Sequence, residues 1–385
     1  MHYLDHAAST PVRPEAVEAM LPLLAVHPGN PSGGHAAARE AKTALEEARE
    51  AVADVLGCGP GEVVFTGGGT EGDNLAVKGS ARARRASGDG VVVSAFEHKG
   101  VLAPAHRLEG EGFRVGEVPV TRAGIVDLDG LAEALDDRTV VASVMLVNNE
   151  VGTIQPLGEV ARLLRERAPR AVLHTDAVQA VPWIDVADAT RDCDLVTISG
   201  HKFGGPKGMG VLVVREGIAL VPEIEGGGQE RGLRAGTVNV AGAVGLATAL
   251  RVTHERRVEE TTRIAALRDR LAAGLRAALP DLFTNGEQGR KVAGNLHVGF
   301  PGVEAEALLL MLDQAGICGA AGSSCSSGAT EQSYVLAAMG LPRADALASI
   351  RLSLGFASSD ADVDACLAVL PGLVQRLRDR TASVA

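Results

Sequence analysis

The sequence predicts an α/β protein with a mainly parallel sheet in a large domain and a smaller α+β domain. Short β-branched runs alternate with helical patterns through the first 215 residues. These runs are apolar throughout, as strands covered on both faces of a sheet are. The chain of 385 residues also exceeds the size at which one hydrophobic core usually stops growing, which favours two domains.

The elements of the large domain follow from hydrophobic pattern. Amphipathic periodicity predicts a helix over 39–56, with Leu45, Ala48 and Val52 on one face. Buried strands are predicted at 62–66, 91–95, 140–147, 171–177, 194–199 and 209–214.

The elements of the small domain follow a long helical stretch. Residues 240–279 contain no proline and pass through a charged cluster at 254–263. One helix of that length is unusual in a globular domain, so we expect a break or a domain crossing near this cluster. Strands are predicted at 295–300 and 349–356. The expected division is 15–255 for the large domain, and 1–14 with 256–385 for the small domain.

Composition excludes several classes of protein. A formal net charge of −11 argues against nucleic-acid or anionic-membrane binding. The start of the chain has no signal-peptide pattern, and the apolar run at 140–147 is too short to cross a bilayer. The cysteines are widely spaced and form no C-x-x-C pair, so we expect neither a metal site nor a disulfide framework. We therefore expect a cytoplasmic protein with reduced thiols.

A glycine turn follows the first predicted strand. In VVFTGGGTEGDNLAVKG (63–79), a strand, a glycine turn and a helix succeed one another, which directs backbone N–H groups at an anion. The pattern matches neither a P-loop nor a dinucleotide fingerprint, so a single phosphate fits better. Taken alone, the segment reads more simply as an ordinary tight turn.

Polar side chains follow several other predicted strands. Their positions are His98, Asn149, Asp176, Gln179 and Lys202. Each has an ordinary explanation by itself, such as a helix N-cap for the aspartate or a surface position for the lysine. Because parallel strands end at one edge of a sheet, these side chains should converge beside the glycine turn. A carboxylate, an amine, an imidazole and a phosphate cradle together suggest pyridoxal phosphate.

One cysteine lies in an unusual composition. Cys325 is surrounded by glycine and serine in AAGSSCSSGAT (320–330), the composition of a flexible linker. A buried cysteine that fills a core normally lies in an apolar run, so this position favours a reactive thiol. Cys58, Cys193 and Cys366 read as packing residues, and a redox pair of Cys325 with Cys318 is an alternative interpretation.

The ordered motifs resemble one family over essentially the whole chain. The sequence resembles cysteine desulfurases of the group with a long, mobile cysteine loop, within the class V aminotransferase-like, fold-type-I pyridoxal phosphate enzymes. That resemblance implies a PLP-dependent transferase fold with a seven-stranded type of sheet. The motifs that carry it are YLDHAASTPV, GNPSGGH, TGGGTEGDN, EHK, VNNEVGTIQP, HTDAVQA, SGHKFGGPKG, RAGTVN, GSSCSSG and SIRLSLG.

The resemblance implies roles for the strand-end residues. Lys202 would form the Schiff base with the cofactor and later move the α-proton. Asp176 would pair with the pyridinium nitrogen, and His98 would stack on the ring and shuttle protons. Gln179 and Asn149 would hold the ring oxygen.

The resemblance also implies phosphate and substrate contacts. Arg351 would hold the substrate carboxylate together with Asn149, and Asn30 is a weaker candidate. The implied phosphate ligands are Gly69, Thr70, Ser199 and His201, with Thr237 contributed by the second subunit of a homodimer.

The implied reaction explains the cysteine loop. Cys325 would attack the sulfur of L-cysteine held on the cofactor, leave as a persulfide and release L-alanine, with His98 as a candidate proton acceptor. The sulfur would then pass to an acceptor protein for iron–sulfur cluster assembly or thiolation. The chain departs from the family at Gly68 and Gly69, where Ser and Ala are frequent, and at Gln332, where proline is common.

Other functions fit parts of the same pattern. A selenocysteine lyase would use the same cofactor site, and a class V aminotransferase would not need Cys325. A scaffold without catalytic activity would need neither Lys202 nor Cys325, and the presence of both argues against it.

Overall fold

The computed structural model of the chain describes residues 1–322 and 332–382. Its strands are β1 (His2–Tyr3), β2 (Val63–Thr66), β3 (Gly90–Ser94), β4 (Arg114–Val118), β5 (Thr139–Ser143), β6 (Val172–Asp176), β7 (Leu195–Ser199), β8 (Gly210–Val214), β9 (Phe283–Thr284), β10 (Asn295–Gly299), β11 (Ile317–Cys318) and β12 (Ser349–Ser353). Its α-helices are α1 (Pro14–Ala25), α2 (Ala36–Leu56), α3 (Gly69–Asn74), α4 (Ser80–Ala83), α5 (Lys99–Glu109), α6 (Leu128–Ala134), α7 (Leu157–Arg167), α8 (Val186–Ala189), α9 (Val240–Ala278), α10 (Ala305–Gln314), α11 (Tyr334–Ala338), α12 (Arg343–Leu347) and α13 (Asp360–Ala382).

The large sheet confirms the predicted α/β class. Its strand order is β2-β8-β7-β6-β5-β3-β4, and β8 runs antiparallel to both of its neighbours. The other adjacent pairs are parallel, so β3, β5, β6 and β7 all end at one edge of the sheet. The predicted apolar runs all form strands of this sheet. The strand predicted at 140–147 is shorter than expected, because β5 ends at Ser143.

One strand of the large sheet was not predicted. β4 lies at the sheet edge, and most of its side chains are exposed or half-buried. Its sequence, RVGEV, therefore lacks the apolar run by which the other strands were recognised.

A second core lies on the smaller sheet. Strands β12, β10 and β9 form an antiparallel sheet, and β1 pairs with β11 in a separate parallel pair. Leu271, Leu296, Leu308 and Ile350 pack in this core together with Leu4. Leu4 therefore packs with the smaller sheet, and the predicted division of the chain at 15 and 256 stays a prediction.

For helix α9 the sequence predicted either a break or a domain crossing near 254–263. The helix runs unbroken over 39 residues, so the expected break near 254–263 is wrong. Leu246 and Leu250 pack in the core of the large sheet, whereas Leu267 and Leu271 pack in the second core. The charged cluster therefore marks the crossing between two cores, and residues 254–263, which contain neither Gly nor Pro, continue the helix between them. No helix among the described residues is both long and apolar enough to cross a membrane.

Because α9 passes from one core to the other, shortening its side chains should affect stability differently at different positions. Leu271 is fully buried and Val258 is 75% exposed. We expect Leu271→Ala to destabilise the fold by about 2–5 kcal/mol, because it leaves a cavity in the second core. Val258→Ala should change stability by less than about 0.5 kcal/mol. Thermal unfolding of both variants measures the difference, and equal losses of stability would contradict the packing described here.

Candidate active site

A cavity opens at the edge of the large sheet where the parallel strands end. It encloses about 960 Å³ of atom-free space, part of which is open solvent. The lining combines strand-end residues of the large sheet with the N-terminal segment and one residue of β12. The lining residues are Ala7, Ala8, Gly69, Thr70, Asp73, His98, Met145, Asn149, Asp176, Val178, Gln179, Ser199, His201, Lys202 and Arg351.

Lys202 lies in the turn that follows β7. Its Nζ donates hydrogen bonds to the carbonyl oxygens of Ala7 (2.6 Å) and Ala8 (2.9 Å). The Gln179 amide also donates to the Ala7 carbonyl, at 2.8 Å. The N-terminal segment therefore holds the amine inside the cavity through neutral carbonyl groups.

Asp176 ends β6 and is 4% exposed. Its Oδ1 accepts a hydrogen bond from the backbone N–H of Val178 at 2.8 Å. Burial raises the pKa of the Asp176 carboxyl, while the nearby His98 and Lys202 lower it. A buried cation such as a protonated ring nitrogen would therefore be stabilised beside this carboxylate.

His98 follows β3 and caps α5. Its Nδ1 accepts a hydrogen bond from the backbone N–H of Gly100 at 3.0 Å, so Nε2 carries the proton of the neutral ring. Burial lowers the pKa of His98 and Asp176 raises it, with burial the larger effect. To accept a proton while neutral, the ring would have to give up its bond to Gly100.

Two buried acids at this site were not found by sequence reasoning. Asp73 is 1% exposed. One carboxylate oxygen of Asp73, one of Asp176 and one ring nitrogen of His98 lie within 4.8 Å of one another. Its Oδ1 has no hydrogen-bond partner among the described residues. Burial, followed by the charge of Asp176, raises the pKa of the Asp73 carboxyl well above its usual range. The residue lies inside the TGGGTEGDN motif, whose sequence signal is the glycine turn.

Glu97 is the second unpredicted acid and is fully buried next to His98 in the sequence. Its Oε1 accepts hydrogen bonds from the Ser94 hydroxyl (2.7 Å) and from the Met145 N–H (2.6 Å). Burial raises the pKa of Glu97 to about 8. The carboxyl is thus largely protonated at neutral pH, which avoids another negative charge beneath the cavity.

The glycine turn forms a narrow cradle at the end of β2. Gly68 has φ +141°, which favours glycine, and a Cβ on Gly69 would lie 2.9 Å from Val178 Cγ2. The helical segment starting at Gly69 presents backbone N–H groups without partners inside its own first turn. Thr70 and Ser199 add hydroxyls on the lining, and His201 is neutral because burial lowers its pKa to about 4.

Arg351 approaches the cavity from β12 of the small sheet. Its guanidinium donates to the Asn149 carbonyl (2.8 Å) and to Asp5 Oδ1 (2.8 Å), and its Nε has no partner among the described residues. The side chain of Asn149 also lines the cavity, and its buried Oδ1 lacks a partner in the same part of the chain. An arginine fork beside an amide is a suitable receptor for a carboxylate.

Two predicted site residues do not line this cavity, and a third lies outside the described residues. Asn30 is exposed, and its Oδ1 accepts a hydrogen bond from the Ser32 N–H at 3.0 Å within a local turn. Thr237 is exposed in the loop before α9, so its predicted contact depends on a second subunit. Cys325 lies outside the described residues.

The cavity fits pyridoxal phosphate. A lysine and a buried aspartate line the same cavity, a Cβ on Gly69 of the glycine cradle would collide with Val178, and the amide oxygen of Asn149 is buried without a partner among the described residues. These features match an aldehyde, a ring nitrogen, a phosphate and a ring oxygen.

Comparison with known proteins agrees with a pyridoxal phosphate site. The Aminotransferase class-V family model matches residues 2–366. The IscS-like cysteine desulfurase of Mycobacterium tuberculosis is 45% identical over 385 residues, covering 98% of this chain and 97% of that protein. A solved structure of a NifS-like protein superposes with a TM-score of 0.90 at 34% identity, covering 99% of this chain and 100% of the other. The structure of SspA in complex with cysteine gives 0.82 at 33% identity, covering 93% and 100%.

The chain therefore belongs to the aminotransferase class V family and has its pyridoxal-phosphate-dependent fold. Within that family it is a member of the cysteine desulfurase group. Both conclusions confirm the resemblance drawn from the motifs.

The buried acid Glu97 predicts a pH-dependent stability difference. Because folding raises its pKa to about 8, the folded state loses stability relative to the unfolded state as pH rises from about 4.5 to 8. Glu97→Gln removes this titration while keeping an oxygen for Ser94 and Met145. The stability of Glu97→Gln relative to wild type should therefore increase by up to roughly 4 kcal/mol between pH 5 and pH 8.

Thermal unfolding across this pH range measures the effect. The exposed Glu50→Gln on α2 is the matched control and should follow the wild-type profile. Parallel profiles for wild type and Glu97→Gln would show that the buried carboxyl does not titrate in this range.

Proposed function

We propose that this enzyme removes the sulfur of L-cysteine, releases L-alanine and keeps the sulfur as a persulfide on Cys325. The observation that carries the proposal is the placement of Lys202, Asp176 and Arg351 around one cavity. The desulfurase relatives and the match to SspA in complex with cysteine support the same substrate.

Pyridoxal phosphate bound in the cavity would supply an electron sink for the carbon that carries the substrate amino group. Lys202 would bind the cofactor aldehyde through its amine and would move the proton at the substrate Cα. Asp176 would keep the ring nitrogen protonated. The glycine cradle with Thr70, Ser199 and His201 would hold the phosphate, and the amides of Asn149 and Gln179 would hold the ring oxygen.

Arg351 orients the substrate. Its fork holds the substrate carboxylate, and Asn149 contributes a second contact from the adjoining turn. This fixes the Cα next to Lys202 and leaves the substrate sulfur available to a second nucleophile.

Cys325 supplies that nucleophile as a thiolate. A bond forms between its sulfur and the substrate sulfur while the substrate Cβ–S bond breaks, and the electron pair of that bond remains with the carbon skeleton. Protonation of the carbon then yields L-alanine. L-cysteine and the enzyme thiol thereby become L-alanine and the enzyme persulfide, with no external oxidant.

The persulfide sulfur then passes to an acceptor protein for iron–sulfur cluster assembly or thiolation. We place the reaction in the cytoplasm, which agrees with the free thiols of Cys58, Cys193 and Cys366. We further propose a homodimer in which Thr237 reaches the phosphate of the other subunit. The exposed apolar side chains of α1, Leu21 (54%) and Leu24 (66%), support a surface covered by a second subunit.

The first test concerns the nucleophile. Enzyme incubated with L-cysteine without reductant should gain one sulfur on the Cys325 peptide, with free alanine in the same sample. Cys325→Ala should keep the cofactor absorbance, because the residues of the cavity are unchanged. It should lose persulfide formation, because the attacking thiol is removed.

Cys318→Ala is the matched control. It should retain persulfide formation, and its loss would favour a redox pair between the two cysteines. Wild-type sulfide release by Cys325→Ala would refute the proposed nucleophile.

The second test concerns the cofactor linkage. Lys202→Ala should lose the visible absorbance of lysine-linked cofactor and reduce turnover by at least about 10³-fold, since the covalent link and the proton carrier are both removed. The exposed Lys207→Ala in the same loop should retain both properties. Retention of the lysine-linked spectrum by Lys202→Ala would assign the linkage to another residue.

A further inference from the structure

We propose that Glu150 is a positioning residue that fixes both ends of the segment carrying Cys325 beside the substrate-binding residues. The inference rests on the proposed function and extends it to a residue that contacts neither cofactor nor substrate. It concerns the described residues on either side of the segment 323–331, namely Gly322 and Ser333.

Glu150 holds the C-terminal end of the segment. The residue is fully buried, and its Oε2 accepts a hydrogen bond from the Ser333 hydroxyl at 2.5 Å. Ser333 is also the N-cap of α11, because its Oγ accepts from the Leu336 N–H at 3.2 Å. The serine hydroxyl thus joins the start of a helix to a buried carboxylate.

The same carboxylate lies against the N-terminal end. A Cβ on Gly322 would lie 2.7 Å from Glu150 Oε2 and 3.1 Å from its Cδ, and Gly322 has φ +110°. The backbone of this glycine is therefore packed directly on the carboxylate. Two residues earlier, Ala320 pairs with Arg351 through two backbone hydrogen bonds of 2.6 and 3.1 Å.

The position of Glu150 is set by the turn that serves the active site. Its N–H donates to Asn148 Oδ1 at 2.9 Å, and its carbonyl accepts from the Asn295 amide at 2.8 Å. The preceding residue, Asn149, accepts the hydrogen bond from the Arg351 guanidinium through its carbonyl. The anchor for the segment and the arginine that binds the substrate therefore belong to one hydrogen-bonded unit.

A second contact ties the C-terminal end to His98. The Tyr334 hydroxyl donates to the Glu97 carbonyl at 2.9 Å, and the Lys99 amine lies 5.7 Å from the centre of the Tyr334 ring. The residue after Ser333 is thus attached to the stretch that carries the active-site histidine.

These contacts hold the described residues on either side of Cys325 close to Glu150. Cys325 follows Gly322 by three residues in the sequence, and three residues span at most about 11 Å. Fixed ends beside Arg351 and Asn149 therefore raise the effective concentration of the thiol at the substrate sulfur. If Glu150 releases Ser333, the thiol has more volume to explore, and sulfur transfer slows although the cofactor site is intact.

The experiment compares Ser333→Ala and Glu150→Ala with Ser333→Thr, which keeps the hydroxyl. One readout is the change in cofactor absorbance on titration with L-cysteine, which reports substrate binding. The other is the single-turnover rate of persulfide formation on Cys325, measured by quenching and mass spectrometry. We expect both alanine variants to form persulfide about tenfold more slowly with unchanged L-cysteine binding, and Ser333→Thr to recover most of the rate.

A third readout is independent of turnover. Without L-cysteine, iodoacetamide should alkylate Cys325 faster in Ser333→Ala than in wild type, while alkylation of Cys318 stays the same. Unchanged persulfide and alkylation rates would overturn the inference, as would a parallel weakening of L-cysteine binding. If the wild type forms neither persulfide nor alanine, the proposed function fails, and the alkylation rates still decide whether Glu150 anchors the segment. Should Glu150→Ala fail to fold, Ser333→Ala carries the same test.

Discussion

The arrangement of the site depends on a buried negative charge that needs a cation. Asp73, Glu97 and Asp176 are all buried beneath the same edge of the sheet, and burial raises the pKa of each carboxyl. Lys202 and His98 lower the pKa of Asp176 alone among these acids. Asp176 is therefore the acid suited to remain ionised and pair with a ring nitrogen, whereas Glu97 stays largely protonated. Two carboxyl groups at this edge thus differ in the charge they carry because their surroundings differ.

Sheet topology brings the partners of this charge together. β5, β6 and β7 are parallel neighbours, so Asn149, Asp176 and Lys202 emerge at one edge although they are distant in sequence. The N-terminal segment completes the site, because the Ala7 carbonyl accepts hydrogen bonds from both Lys202 and Gln179. Arg351 comes from the other sheet. The cavity thus requires both cores to be in place, which is why the crossing of α9 from one core to the other matters for chemistry.

The sequence predicted those parts of the fold and site that have a local signal. Buried strands appear as apolar runs, and strand-end polar residues follow from parallel topology, so Lys202 and Asp176 were predicted to lie at this edge. β4 was missed because an edge strand needs no apolar run. Asp73 and Glu150 were missed for another reason: their roles arise from burial and from contacts with residues far along the chain, such as Ser333. Asn30 was proposed from a family motif, and in this structure its side chain serves a local turn.

Arg351 joins the cavity to Ala320, which lies just before the segment of Cys325 in the sequence. Its side chain bonds the Asn149 carbonyl, while its backbone pairs with Ala320 just before the segment of Cys325. A nucleophile that must visit both a deep substrate and an external acceptor needs freedom along its own segment, which glycine and serine supply. That freedom disperses the thiol unless the ends are fixed. Under the proposed function, anchoring Gly322 and Ser333 at Glu150 reconciles the two demands, because it acts only on residues outside the glycine- and serine-rich segment.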